Sequence, residues 1–194
     1  MFAQEETVTV SGHEAVRIGT RGSRLALRQA EEVSEQLAAS CPGLDIRRVI
    51  VKTVGDKILD TPLSKIGDKG LFTKELDLAL LRGEIDLAVH SLKDLPTKVP
   101  PDLVIGAVLE RGDPSDVLIS SSGKRLAELP AGARVGTSSL RRRSQLLALR
   151  PDLNVTDLRG NVPTRIERVE KGEYEGVVLA RAGVVRLGLA MKIT

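Results

Sequence analysis

Short apolar segments and helix-patterned segments take turns along the chain, and this alternation is what most limits its fold. Candidate strands fall at 16–19, 46–51, 87–89, 103–108, 117–119, 134–136, 155–158 and 177–179. Between them, residues 23–40 place Ala26, Ala30, Val33 and Leu37 on one helical face and stop at Cys41-Pro42-Gly43. Residues 73–82 turn Leu76, Ala79 and Leu80 inward and end at Gly83. A third helix begins at Ser139, with Leu140 and Leu147 on one face. A fourth is short: Pro163 suits its first turn, and Ile166 and Val169 face inward. Strands interleaved with helices imply an α/β architecture.

The alternation contains an echo. Arg17-Ile18-Gly19-Thr20 and Arg134-Val135-Gly136-Thr137 each close a strand, and each precedes a serine able to cap a helix, Ser23 or Ser138/Ser139. Two such units suggest two similar lobes, each offering a helix N-terminus to a shared cleft. The turn Glu110-Arg111-Gly112-Asp113-Pro114 is the expected boundary. It divides a lobe at 16–110 from one at 111–194, after a polar N-terminal extension at 1–15.

The chemistry concentrates in Gly136-Thr137-Ser138-Ser139-Leu140-Arg141-Arg142-Arg143, followed by Leu158-Arg159-Gly160-Asn161 and Arg165. Guanidinium forks on the first turn of a helix add to its free N–H groups and make a site for carboxylates or phosphates. Net charge is only +3, so any basic patch comes from placement and not from overall excess. Aromatic residues are 2% of the chain, which leaves little for base stacking and argues against nucleic acid. Cys41 is the single cysteine and His13 and His90 the two histidines, so neither a disulfide nor a structural zinc site is expected. No apolar run approaches the roughly 18 residues of a membrane span. The opening residues, with Gln4, Glu5 and Glu6, are unlike a signal peptide, and a cytoplasmic protein is the expectation.

A second run, His90-Ser91-Leu92-Lys93-Asp94-Leu95-Pro96, follows the strand at 87–89. A carboxylate such as Asp94 at a cleft lip can stabilise a passing cation or exchange protons with a substrate nitrogen. It is equally a common turn residue before proline. His90 reads as a structural histidine.

Taken together, Gly19-Thr20-Arg21-Gly22-Ser23-Arg24-Leu25-Ala26-Leu27, Gly55-Asp56, Thr61-Pro62-Leu63, Lys69-Gly70-Leu71-Phe72, Ala88 through Pro96, Gly136 through Arg142 and Leu158 through Asn161 resemble the motifs of the porphobilinogen deaminases, or hydroxymethylbilane synthases. The resemblance runs nearly collinearly from Val16 to Thr194. It implies two similar α/β lobes with mixed sheets flanked by helices, like the type II periplasmic binding proteins, with the cleft between them. It also implies a transferase of tetrapyrrole biosynthesis, which joins four porphobilinogens head to tail, releases ammonia each time and passes through linear polypyrrole intermediates. A growing chain of acetates and propionates explains the arginines.

By the same resemblance Asp94 is the catalytic carboxylate. Arg21, Ser23, Phe72, Arg159, Gly160, Arg165 and Arg186 are substrate contacts. Lys93, Asp94, Thr137, Ser139, Arg141 and Arg142 hold the family's dipyrromethane cofactor. Lys65 and Lys69 belong to a lid at 58–69. No metal is implied, and a monomer is. The cofactor's attachment cysteine sits in a third, C-terminal domain that nothing here matches, and Cys41 is not expected to replace it. The chain reads as the first two lobes of a three-domain enzyme, with no turnover expected from it alone. The alternative is a bilobal module that binds pyrrole carboxylates without reacting.

Overall fold

A computed structural model of the chain describes residues 15–57 and 70–194. It contains two sheets. In the first, β1 (Val16–Thr20) lies between β2 (Ile46–Ile50) and β3 (Leu87–Ala88), parallel to both. In the second the order is β4 (Asp116–Ser120), β7 (Gly176–Ala180), β5 (Arg134–Gly136), β6 (Asn154–Thr156). Here β4 is antiparallel to β7, while β5 runs parallel to β6 and β7. The architecture is α/β with two sheets, one parallel and one mixed.

The helices start where polar caps allow. Ser23 caps α1 (Arg24–Ser40) by accepting from the Ala26 N–H, and Ser139 caps α4 (Leu140–Leu149) by accepting from the Arg142 N–H. Asn161 caps α5 (Val162–Glu170), with Pro163 in the first turn, where a missing N–H costs nothing. α3 (Lys74–Leu81) ends at Gly83, whose φ of +65° suits a residue without Cβ. Two short helices, α2 (Val54–Lys57) and α6 (Arg181–Arg186), are not visible in the hydrophobic pattern.

The second sheet is packed on both faces. Along β7, Val177 and Leu179 join a cluster with Val117, Leu158, Ile166, Tyr174 and Val184, whereas Val178 turns to Val135, Leu146 and Val155. This is the two-residue alternation of a strand buried on both sides. The first sheet has a smaller core of Leu76, Ala79 and Ile85, with Val49, Val51, Leu80 and Ala88 against it.

The sequence echo is also a packing echo. The Arg17 N–H donates to Asp86 Oδ2 at 2.7 Å and the Asp86 N–H returns to the Arg17 carbonyl; the Arg134 N–H donates to Glu175 Oε2 at 2.7 Å and the Glu175 N–H returns to the Arg134 carbonyl. Each strand then carries a glycine with no room for a side chain. A Cβ on Gly19 would stand 2.2 Å from Ile85 Cδ1, and one on Gly136 would stand 2.6 Å from Leu158 Cδ2 and 3.1 Å from Tyr174 Cδ1. The halves meet where α1 contacts α6, with Arg186 Nε donating to Glu32 Oε2 at 3.0 Å.

One expected strand is not formed. Residues 103–108 belong to no sheet, and Val104, Ile105 and Val108 are exposed. An apolar run becomes a strand only when a neighbouring edge accepts its ladder, and no such edge reaches it among the described residues. Among those residues, too, no helix is long and apolar enough to cross a membrane.

Candidate anion-binding and catalytic site

In the first half, the chain leaving β1 delivers Arg21. Its Nε lies 3.2 Å from both oxygens of Asp56, its Nη2 closes a second contact to the same carboxylate, and its guanidinium stacks 4.1 Å from the centre of the Phe72 ring. The Thr53 hydroxyl also donates to Asp56 Oδ2, at 2.8 Å. Burial would raise the Asp56 carboxyl, but the hydrogen bonds from Arg21 and Thr53 prevail and hold it below the ordinary aspartate value. A planar fork clamped on one side by a carboxylate and on the other by a ring has little freedom left.

Asp94 sits on a single 3₁₀ turn, Leu92–Asp94, just past β3. Burial pushes its carboxyl up; the charges of Lys93, Arg21 and His90 pull the other way without cancelling the effect. Arg21, Asp94 and His90 therefore form one electrostatic group. Lys93 on the same turn is exposed.

In the second half, α4 and α5 supply the cluster. Burial, then the charges of Arg142 and Arg159, lower the Arg165 guanidinium to about 10. Arg165 Nε donates to the Gly160 carbonyl at 2.8 Å, and Arg165 has no carboxylate partner among the described residues. Gly160 turns the chain at φ +108°, a conformation few side chains tolerate. Arg142 is already engaged: its Nε donates to Asp116 Oδ2 at 2.8 Å and its Nη1 to the Val178 carbonyl at 3.3 Å. Arg141 and Arg143 are exposed. Thr137 is buried and its hydroxyl accepts from the Ser139 N–H at 3.2 Å, while Ser139 and Ser23 serve as helix caps.

Arg186 stands apart from both groups. It bridges to Glu32 and borders a cavity of about 290 Å³ lined also by Arg24, Leu27, Arg28, Glu31, Arg48 and Leu187. Lys65 and Lys69, the expected lid residues, lie outside the described residues. Cys41 is exposed at the C-terminal end of α1. The sequence reading gave no role to Asp56, Thr53, Asp116 or Asp77. Asp56 belongs to the Gly55-Asp56 pair, and its pairing with a residue 35 positions away is a tertiary fact.

A family model described as "Porphobilinogen deaminase, dipyromethane cofactor binding domain" matches residues 16–194. The porphobilinogen deaminase of Syntrophomonas wolfei is 58% identical over 179 residues, which make up 92% of this chain and 58% of that protein. Those of Desulforudis audaxviator and Chloroherpeton thalassium are 59% and 61% identical, over 92% and 89% of this chain. The chain spans less than three fifths of the length of these relatives. Among solved structures, the aliphatic sulphonate binding protein SsuA of Escherichia coli covers 94% of the chain at 16% identity with a TM-score of 0.43, an agreement too loose to bear on fold or function.

Proposed function

The chain belongs to the porphobilinogen deaminase family, and we propose that it forms the part of a hydroxymethylbilane synthase that binds porphobilinogen and its linear polypyrrole products. The observation that carries this reading is Arg165. Burial first, and then the charges of Arg142 and Arg159, lower its guanidinium to about 10, and an arginine so placed calls for an anion from outside the chain. Acetate and propionate groups supply it in bidentate geometry.

In this reading Arg165 and Arg159 take substrate carboxylates, and Arg142, capped at Ser139 and fixed by Asp116, holds the rim with Arg141. The same carboxylate chemistry fits a dipyrromethane, which when bound gives the growing chain its starting pyrrole. Thr137, Ser139, Arg141, Arg142 and Lys93 are the residues proposed to hold it. Arg21, stiffened by Asp56 and Phe72, presents fixed positive charge beside Asp94. Ser23, Gly160 and Arg186 are the remaining proposed contacts, Arg186 from the junction of α1 with α6.

Asp94 is the proposed catalytic group. A carboxyl raised by burial holds a proton at a higher pH than an exposed aspartate. When positive charge develops on a pyrrole against it, the ionised form becomes the favoured one, and its proton goes to the amino group that departs as ammonia. A binding module without chemistry shares the arginines but gives a half-buried, destabilised carboxyl no task.

Equilibrium dialysis with porphobilinogen tests the reading. Arg165→Gln removes a charge-assisted contact and is expected to weaken binding roughly 10- to 100-fold. Unchanged affinity overturns the assignment. Porphyrin absorbance after acid and oxidation, read with the intact mass, then tests chemistry. No colour is expected from the 194-residue chain alone. Colour with a mass increase of two pyrrole units would show that the chain anchors its own primer.

A further inference from the structure

Where α1 and β2 of the first half meet α6 of the second, four arginines converge on the cavity of about 290 Å³. Arg24 and Arg28 come from successive turns of α1, Arg48 from β2 and Arg186 from α6. Leu27 and Leu187 give the cavity an apolar side, and Glu31 is the one carboxylate among its lining residues.

The four guanidiniums are not equivalent. Arg28 Nη1 donates to Glu31 Oε2 at 2.8 Å and lies 3.4 Å from Glu35 Oε1, while its Nε stands 3.7 Å from Glu32 Oε1. Arg186 Nε donates to the other oxygen of Glu32, at 3.0 Å. One carboxylate thus steadies an arginine from each half, and both forks are half-buried and set in place. Arg24 and Arg48 are exposed and have no carboxylate partner among the described residues. Arg24 also stands four residues before Arg28 on the same helix, a spacing at which like charges repel. An anion placed among these forks turns that repulsion into attraction.

We propose that the junction of α1, β2 and α6 is an anion site separate from the Arg165 cluster, and that it takes a compact dianion such as a phosphate group. Two forks without carboxylate partners match two negative charges. Size points the same way: pockets for larger organic ligands enclose about 300–1,000 Å³, so a cavity at the lower end of that range holds one small group and not a chain of pyrrole rings. A phosphate gathers its oxygens on one atom, within reach of forks that arrive from different elements. The two carboxylates of a pyrrole are instead held apart on separate arms. Because Arg186 belongs to the second half and the other three arginines to the first, the bound anion also ties the halves together.

The test uses the 194-residue chain and inorganic phosphate, above neutral pH, where phosphate is mainly a dianion. Phosphate is added at fixed ionic strength with chloride as the control, and the arginine Cζ signals are followed by carbon-detected NMR. Arg24 and Arg48 are identified by the signals lost in Arg24→Gln and Arg48→Gln. Both signals are expected to move with phosphate and not with chloride. Each substitution is expected to weaken phosphate at the remaining arginine about 10-fold. Phosphate should also raise the melting temperature of the wild type more than that of the double variant. Movement confined to Arg159 and Arg165, or equal movement in chloride, overturns the proposal. Porphobilinogen is the second probe and is expected to leave Arg24 and Arg48 unmoved. If it shifts them and phosphate does not, the junction is part of the substrate site and the proposal falls. The inference stands apart from the proposed function: a phosphate response at Arg48 that persists in Arg165→Gln supports it whether or not porphobilinogen binds. Porphobilinogen binding without that response sinks this inference alone.

Discussion

Two aspartates of the same half of the molecule are pushed in opposite directions, and the difference lies in their partners. Asp56 accepts from Arg21 and Thr53; Asp94 is half-buried, without a hydrogen-bonded cation among the described residues. A carboxyl lowered on folding contributes stability that is present above its unfolded value, near 3.8, and lost as pH falls through the folded value. Asp56→Asn is therefore expected to cost about 1 kcal/mol at pH 7, discounted for the partial exposure of the pair, and the deficit should fade in urea melts below pH 4. A raised carboxyl has the opposite sign: stability falls as pH rises from 3.8 through the folded value of Asp94. Asp94→Asn should thus be more stable than wild type at pH 7 in the same melts, while porphyrin formation by any assembly containing the variant is abolished. A variant less stable at neutral pH would contradict the burial of an unpaired carboxyl. The sequence made Asp94 conspicuous through Lys93 and Pro96, local neighbours in a run. It could not show Asp56 closing on Arg21, because that contact exists only once α2 and β1 are side by side.

At the scale of elements, the basic cluster depends on one turn. Gly160 at φ +108° and the Asn161 cap together aim α5, and the Thr164 N–H donates to Asn161 Oδ1 at 3.0 Å. Asn161→Ala is expected to cost about 1 kcal/mol in chemical denaturation. Gly160→Ala should do more damage, since the left-handed conformation itself costs about 1–2 kcal/mol and the new Cβ would stand 3.0 Å from Thr164 Cγ2. If porphobilinogen affinity falls in Gly160→Ala with Arg165 intact, the turn is shown to position the cluster; full affinity would separate them. Caps and stops of this kind were legible in the sequence because they act within four residues: Ser23, Ser139, Pro163 and Gly83 all sit where their chemistry predicts. The run 103–108 was misread for the converse reason. Its β-branched residues fit a strand, but a ladder is made with a distant partner, and composition says nothing about whether one arrives. α6 escaped notice because only Gly183 and Val184 of its six residues are buried.

Across the whole molecule, the two halves touch through α1 and α6, and Arg186 joins them by its bond to Glu32. Glu32→Gln keeps the shape of the contact and removes its charge. We expect a loss of about 0.5–1 kcal/mol and a broader thermal transition, as each half begins to unfold on its own account, read by calorimetry. A sharp, unshifted transition would mean that apolar packing at Leu25 and Gly183 holds the halves without help. The paired glycines have a longer reach. Gly19 yields its space to Ile85, and Gly136 yields its space to Leu158 and Tyr174, within the same framework of reciprocal hydrogen bonds. The fit is between neighbours inside each half, and nothing requires the fillers to match across halves. An isoleucine serves one and a tyrosine the other. Inherited change can therefore accumulate in such a molecule as private dialects, each half revising its own large residues while both keep the same silent syllable of glycine.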